Sequence, residues 1–103
     1  IETPEIQSLS TESIAVNSAE FAAKILNMPV AKEDVGLFIP SLKGFPGPFL
    51  NQIENWFETD DFERLLSSLS IRAAYWQYSI ALAIPGYETK VFTTSFLSGL
   101  FFL

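Results

Sequence analysis

The sequence predicts a mixed α/β fold on three observations. Apolar residues recur at helical spacing over residues 10–26 and again over 48–69, a short apolar run lies between these stretches, and the last third turns to β-branched and aromatic residues broken by one turn. The order read from these is helix, strand, helix, helix, strand, strand, in a single domain over residues 1–103 with no internal repeat, low-complexity tract or linker.

Ser10 is the expected N-cap of the first helix, with Glu12 in the first turn and Leu9 and Ile14 placed for a hydrophobic staple. The helix should run to about Leu26, burying Ile14, Phe21 and Ile25 with Ala15, Ala22 and Leu26 beside them. Asn27 and Pro29 stop it. "PVAKED" reads as a buried strand ending at its two carboxylates. After "GFPGP", Pro48 is expected as the first residue of a second helix, with Phe49, Leu50, Ile53, Trp56 and Phe57 at helical spacing. Asp60 with Glu63 fits a capping box for a third helix carrying Phe62, Leu65, Leu66 and Leu69. "IRAAYWQYSIALAI" then suits a strand, "PGYE" a turn and "TKVFTTSFL" the returning strand of a long hairpin. The last stretch, "SFLSGLFFL", is shorter than the roughly 20 apolar residues a membrane helix needs and reads as a strand that has lost its covering.

Composition narrows the chemistry. With 49% hydrophobic and 17% charged residues the chain is expected to fold around a core. A net charge of −6 with six Lys and Arg offers no electrostatic footprint for a nucleic-acid polymer or an anionic membrane. Cysteine and histidine are both absent, which excludes disulfides, zinc sites of the usual ligand types, thiol nucleophiles and imidazole bases. Carboxylates, hydroxyls and lysines remain. "IETPEIQ" is acidic and polar rather than a signal peptide, so the cytoplasm is the expected compartment. A first residue of Ile suggests a piece of a longer reading frame or a processed product.

The stretch "KEDVGLFIPSLKGFPGPF" is the most informative, and its parts admit two readings. Asp34 can cap a turn with Glu33 solvated beside it, and "GFPGP" can be simply a tight loop. Alternatively, a strand end presents hard oxygen ligands to a crevice, where Mg²⁺ takes one or two carboxylates and completes its octahedron with water and substrate phosphates. Glu5 in "TPEIQ" joins Glu33 and Asp34 if its loop folds back over the strand end. Phe45, Phe49, Trp56 and Phe57 share one helical face and read as core, and Tyr75, Trp76 and Tyr78 alternate across a strand as packing residues.

In order and spacing, "TPEIQSLSTESI", "PVAKEDVGLFIPSLKGFPGPF", "IRAAYWQYSIALA" and "KVF" resemble the inosine triphosphate pyrophosphatase (Ham1-like) family of nucleotide hydrolases. The segment from Glu33 to Phe49 is similar to that family's E-D-[S/T]-G-L-x-[V/I]-x-A-L-x-G-x-P-G-x-Y signature. The resemblance implies the central portion of an elongated α/β fold with a long mixed sheet, a central cleft and a dimeric state. It implies cleavage of ITP, dITP and XTP to the monophosphate and pyrophosphate. On the same ground Glu5, Glu33 and Asp34 are the expected site for Mg²⁺ (or Mn²⁺), with Asp34 also the general base for the attacking water. Gly36, Gly44, Phe45, Gly47, Ser18 and Asn51 are the expected substrate-binding positions. Ser18 and Asn51 stand where the family carries basic residues, Val35 replaces the signature's Ser or Thr, and Pro40 stands where Asp or Asn is common. Neither the family's S/T-x-N-x-x-K loop nor its S-H-R segment is in the sequence, so a member truncated at both ends is expected. A catalytically silent relative serving as a small interaction module is the second reading.

Overall fold

The computed structural model describes residues 6–100, with side-chain surroundings through Phe96. Its elements are helix α1 (Thr11–Leu26), strand β1 (Val30–Phe38), a 3-10 turn over Pro40–Leu42, the two-residue strand β2 (Pro46–Gly47), helices α2 (Leu50–Trp56) and α3 (Thr59–Leu66), and strands β3 (Ala73–Ala83) and β4 (Lys90–Leu100). The expected α/β class and element order hold, with β2 and the 3-10 turn in addition. The strands form one sheet in the order β2-β1-β3-β4. These four strands run antiparallel, so the parallel pairing of a mixed sheet is not among the described residues.

Contacts divide the chain into two compact units, one from Ile1–Val35 and Tyr78–Thr94, the other from Gly36–Gln77 and Ser95–Leu103. In the first, α1 begins where expected. The Ser10 hydroxyl accepts from the Ser13 N–H at 3.1 Å, and Asn27 ends the helix in the left-handed conformation (φ 51°) that asparagine tolerates. Leu9 stays exposed, so the side-chain cap rather than an apolar staple marks this terminus. The buried face of α1 matches the expected one at Ile14, Ala15 and Ala22 but not at its larger side chains. Thr11, Ile14, Ala15, Ser18, Ala19, Ala22 and Ala23 are covered, while Phe21, Ile25 and Leu26 are exposed. Ala15, Ala19 and Ala23 pack with Ala81 and Ala83, flanked by Val16, Val30 and Val91. Burial has followed the small residues, because a helix can lie close to a strand only where its facing side chains are short.

Hydroxyls continue this seam at the start of α1. Thr11 Oγ1 and Ser79 Oγ, both fully buried, lie 2.8 Å apart, and Ser79 Oγ lies 2.9 Å from Thr93 Oγ1. Thr93 in turn donates to Glu12 at 3.2 Å. The hairpin turn forms as expected, with the Tyr87 N–H donating to the Ile84 carbonyl at 3.0 Å and Gly86 at φ 83°.

The second unit has larger core residues. Ile39, Leu66 and Ala74 are buried together, with Leu37, Leu42, Phe62, Leu65 and Leu69 against them. Phe38 stacks on Tyr75 with ring centroids 5.3 Å apart, and Phe57 meets Phe62 edge-on at 5.1 Å. Trp56 is 80% exposed and Phe45 also reaches the surface, so the expected four-residue aromatic core holds only for Phe49 and Phe57, both partly buried. The second helix begins at Leu50 rather than Pro48, which lies in the preceding turn. The third is capped two residues earlier than expected. Glu58 is its N-cap and Asp61 completes the capping box, with the Glu58 N–H donating to Asp61 Oδ2 at 2.9 Å. Arg64 donates to the other oxygen of Asp61. These two bonds hold the Asp61 carboxyl below the usual carboxylate range, the backbone bond contributing most and desolvation opposing it.

Candidate functional site

Glu33 and Asp34 are the fourth and fifth residues of the nine-residue strand β1, not its end. The strand continues because its last residues gain a partner, Leu37 pairing with Gly47 and Phe38 with Pro46. Asp34 therefore does not cap a turn. Consecutive strand side chains project to opposite faces, and Glu33 is exposed while Asp34 is half-buried with Oδ2 sealed from solvent. Lys32 is half-buried on the same face as Asp34. Two-residue alternation in "KED" is the sequence signal for this placement. Glu5 lies outside the described residues. Among the described residues no three His, Cys, Asp or Glu side chains group so as to hold a metal ion.

The glycine–proline loop belongs to the second unit. Gly36 is a strand residue rather than a turn residue, and it is glycine because β2 comes too close for anything larger. A Cβ there would lie 2.9 Å from the Gly47 carbonyl carbon and oxygen and 2.7 Å from the Phe38 ring. Gly47 has φ 57°, and a Cβ there would meet the Gly44 carbonyl oxygen at 3.1 Å. Gly44 also has positive φ, and the Phe45–Pro46 peptide is cis.

Most N–H groups of this loop serve the loop itself. Leu42 and Gly44 donate to the Ile39 carbonyl at 2.9 and 3.0 Å, Lys43 to Pro40 at 2.9 Å, Phe45 to Leu42 at 3.1 Å and Phe49 to Pro46 at 3.1 Å. Its rigidity thus comes from internal bonds, and its exposed charge is Lys43, in the left-handed conformation at φ 59°. Lys43 is not among the expected substrate-binding positions, although a lysine beside the signature glycine is the sort of group that meets phosphate. Phe45 and Asn51 are exposed near it in sequence. Ser18 is 9% exposed on the packed face of α1.

The α/β fold that carries this acidic strand and self-bonded Gly-Pro loop is shared with solved proteins. The Ham1 protein of Staphylococcus aureus superposes with a TM-score of 0.76 at 28% identity, covering 94% of this chain and 53% of that one. A protein described as nucleoside-triphosphatase / dITP/XTP pyrophosphatase from Mycobacterium abscessus shares the fold at TM-score 0.77 and 23% identity, covering 94% and 54%. Residues 1–100 match the Ham1 family, and the chain belongs to that family. It is 39% identical over 89 residues to the dITP/XTP pyrophosphatase of Methanosarcina mazei, covering 86% of this chain and 48% of the relative. It is 36% identical over 93 residues to that of Methanopyrus kandleri, covering 90% and 50%. The chain thus spans about half the length of the curated relatives it matches.

Proposed function

We propose that this protein is a nucleoside triphosphate pyrophosphatase acting on non-canonical purine nucleotides, dITP, XTP and ITP among them. The observation that carries this reading is the 39% identity to a dITP/XTP pyrophosphatase, over a span long enough that it must include Glu33 and Asp34. In the reaction, water attacks the α-phosphorus, the bond from that phosphorus to the α,β-bridging oxygen breaks, and pyrophosphate leaves with the bridging oxygen. Asp34 acts as the general base that orients this water and takes its proton, and burial of one carboxylate oxygen holds its side chain in place. Lys43 is the cation of the loop available to a phosphate oxygen. Gly36, Gly44 and Gly47 keep side chains from crowding the backbone there.

The donors present suit Mg²⁺ or Mn²⁺, which take carboxylate, water and phosphate oxygens. Asp34 fits as one ligand, whereas Glu33, on the opposite face of the strand, is suited to a supporting role. Bound there, the ion would neutralise phosphate charge as the pyrophosphate departs. We further read the protein as a cytoplasmic homodimer. The exposed Ile80 and Leu82 of β3 and Phe92 of β4 support association, and no helix among the described residues is long and apolar enough to cross a membrane.

The second reading, a silent relative, is favoured by one observation: the neutral Ser18 and Asn51 stand where the resemblance calls for basic residues, and Ser18 is buried. Pyrophosphate release from dITP, XTP, ITP and dGTP with Mg²⁺ separates the two. An enzyme should release it from the first three in preference to dGTP, and Asp34→Asn should lower the rate by roughly 10²-fold or more. Release that survives Asp34→Asn removes the assignment of the base. A folded protein that releases none from any substrate supports the silent reading.

A further inference from the structure

The first unit carries a cavity of about 340 Å³ between the C-terminal end of α1 and the turn joining β3 to β4. That volume lies within the range of small-molecule sites. Neither Asp34 nor the Gly-Pro loop contributes to it.

Its walls have a definite polarity. Ala23, Ala83, Ile84 and Pro85 supply the apolar surface. The last turn of α1 supplies the negative pole of a 16-residue helix, whose final four carbonyls have no intrahelical donors. Glu20 adds a full negative charge, and its carboxylate is held in position by the Thr89 hydroxyl, which donates to Oε2 at 2.6 Å, leaving Oε1 as a further acceptor. Tyr87, largely exposed on the opposite rim, offers an aromatic face. Lys24, also exposed, is the one cation among the lining residues. The groups that attract positive charge therefore outnumber the one that repels it.

We propose that this cavity is a binding site for a small organic ammonium, its charged head against Glu20 and the α1 carbonyl end and its alkyl part along Ile84 and Pro85. A cation beside an aromatic ring gains attraction from the ring's negative face, and an alkyl chain suits the apolar wall. Lys24, which lines the same cavity, then competes with the ligand for these negative groups.

The probe is n-butylammonium, titrated into the chain in about 0.15 M salt, where long-range attraction to a protein of net charge −6 is screened. Backbone amide shifts are followed by NMR. Saturable shifts centred on Asn27, Gly86, Tyr87 and Thr89 are expected. Glu20→Gln should weaken binding by about tenfold, the loss of one charge-assisted bond, and Lys24→Met should strengthen it. Tyr87→Ala, at an exposed position, weakens binding without endangering the fold and keeps the test decisive if the Glu20 variant misfolds. Shifts that rise linearly across the surface, saturation by acetate instead of the amine, or affinity unchanged in both Glu20→Gln and Tyr87→Ala would each overturn the proposal.

Discussion

Where α1 meets its strands, the buried positions are Ala15, Ala19, Ala23, Ala81 and Ala83, joined by the hydroxyls of Thr11 and Ser79. Around α3 they are Ile39, Leu66 and Ala74, backed by Leu37, Leu42, Phe62, Leu65 and Leu69. The first unit gains stability from close approach and from hydrogen bonds that fix its register. The second gains it from the apolar area of branched and aromatic side chains. The two should therefore fail in opposite ways: the alanine seam when a side chain is enlarged, the leucine cluster when one is shortened.

The largest effect is expected from shortening. Leu66→Ala should cost about 2–5 kcal/mol, the range for deleting a buried leucine, read from the urea midpoint. A loss below about 1 kcal/mol would mean that the cluster collapses into the space, as large-to-small sites occasionally do. The reciprocal change, Ala19→Leu, should cost about 1–3 kcal/mol through overpacking of a fully buried position. A neutral or stabilising result would show that α1 can move away from Ala81 and Ala83, and the contrast between the units would not stand.

Ser79→Ala sharpens the comparison within the seam. It removes one hydroxyl partner from each of Thr11 and Thr93 and should cost about 1 kcal/mol, a typical net hydrogen-bond contribution. Ser79→Cys, near in size but a weaker hydrogen-bonding group, should behave like Ala if hydrogen bonding is what matters and like the parent if volume is.

The smallest effect belongs to the exposed cap of α3. Because the Asp61 carboxyl titrates lower in the folded state than its ordinary value of 3.8, it favours folding at pH values above that value. That contribution fades as pH falls through the folded value. Asp61→Asn should therefore slightly lower the thermal midpoint near neutrality and leave it unchanged in strong acid. Curves of midpoint against pH for the two proteins should converge in strong acid. Parallel curves would show that the charge contributes nothing to the cap.

Sequence by itself determined the ends of α1, the order of elements and the β3–β4 turn, together with the motif from Glu33 to Phe49. Each of these is set within a few residues: a Ser10 hydroxyl over the Ser13 N–H, an Asn27 that accepts positive φ, a Pro-Gly turn, an apolar run between breakers. Tertiary structure decided the rest. Periodicity placed Ile14, Ala15 and Ala22 correctly, but Phe21 and Ile25 are more hydrophobic than Ala19 and Ala23 and drew the expected face towards them; only alanines opposite, at Ala81 and Ala83, make the small face the one that fits. "PVAKED" gave no sign that its strand would continue through Gly36, because the partner that extends it lies some ten residues further on, at Pro46 and Gly47. Alternation places Lys32 and Asp34 on one face of the strand and Glu33 on the other, but only the tertiary structure made the Asp34 face the half-buried one. Trp56, the last residue of α2, is left exposed, and no property of tryptophan itself announces that. Caps and turns answer to the local backbone, whereas facing and register answer to whatever distant surface the chain meets, and a sequence read alone contains the side chains of that surface but not their distance.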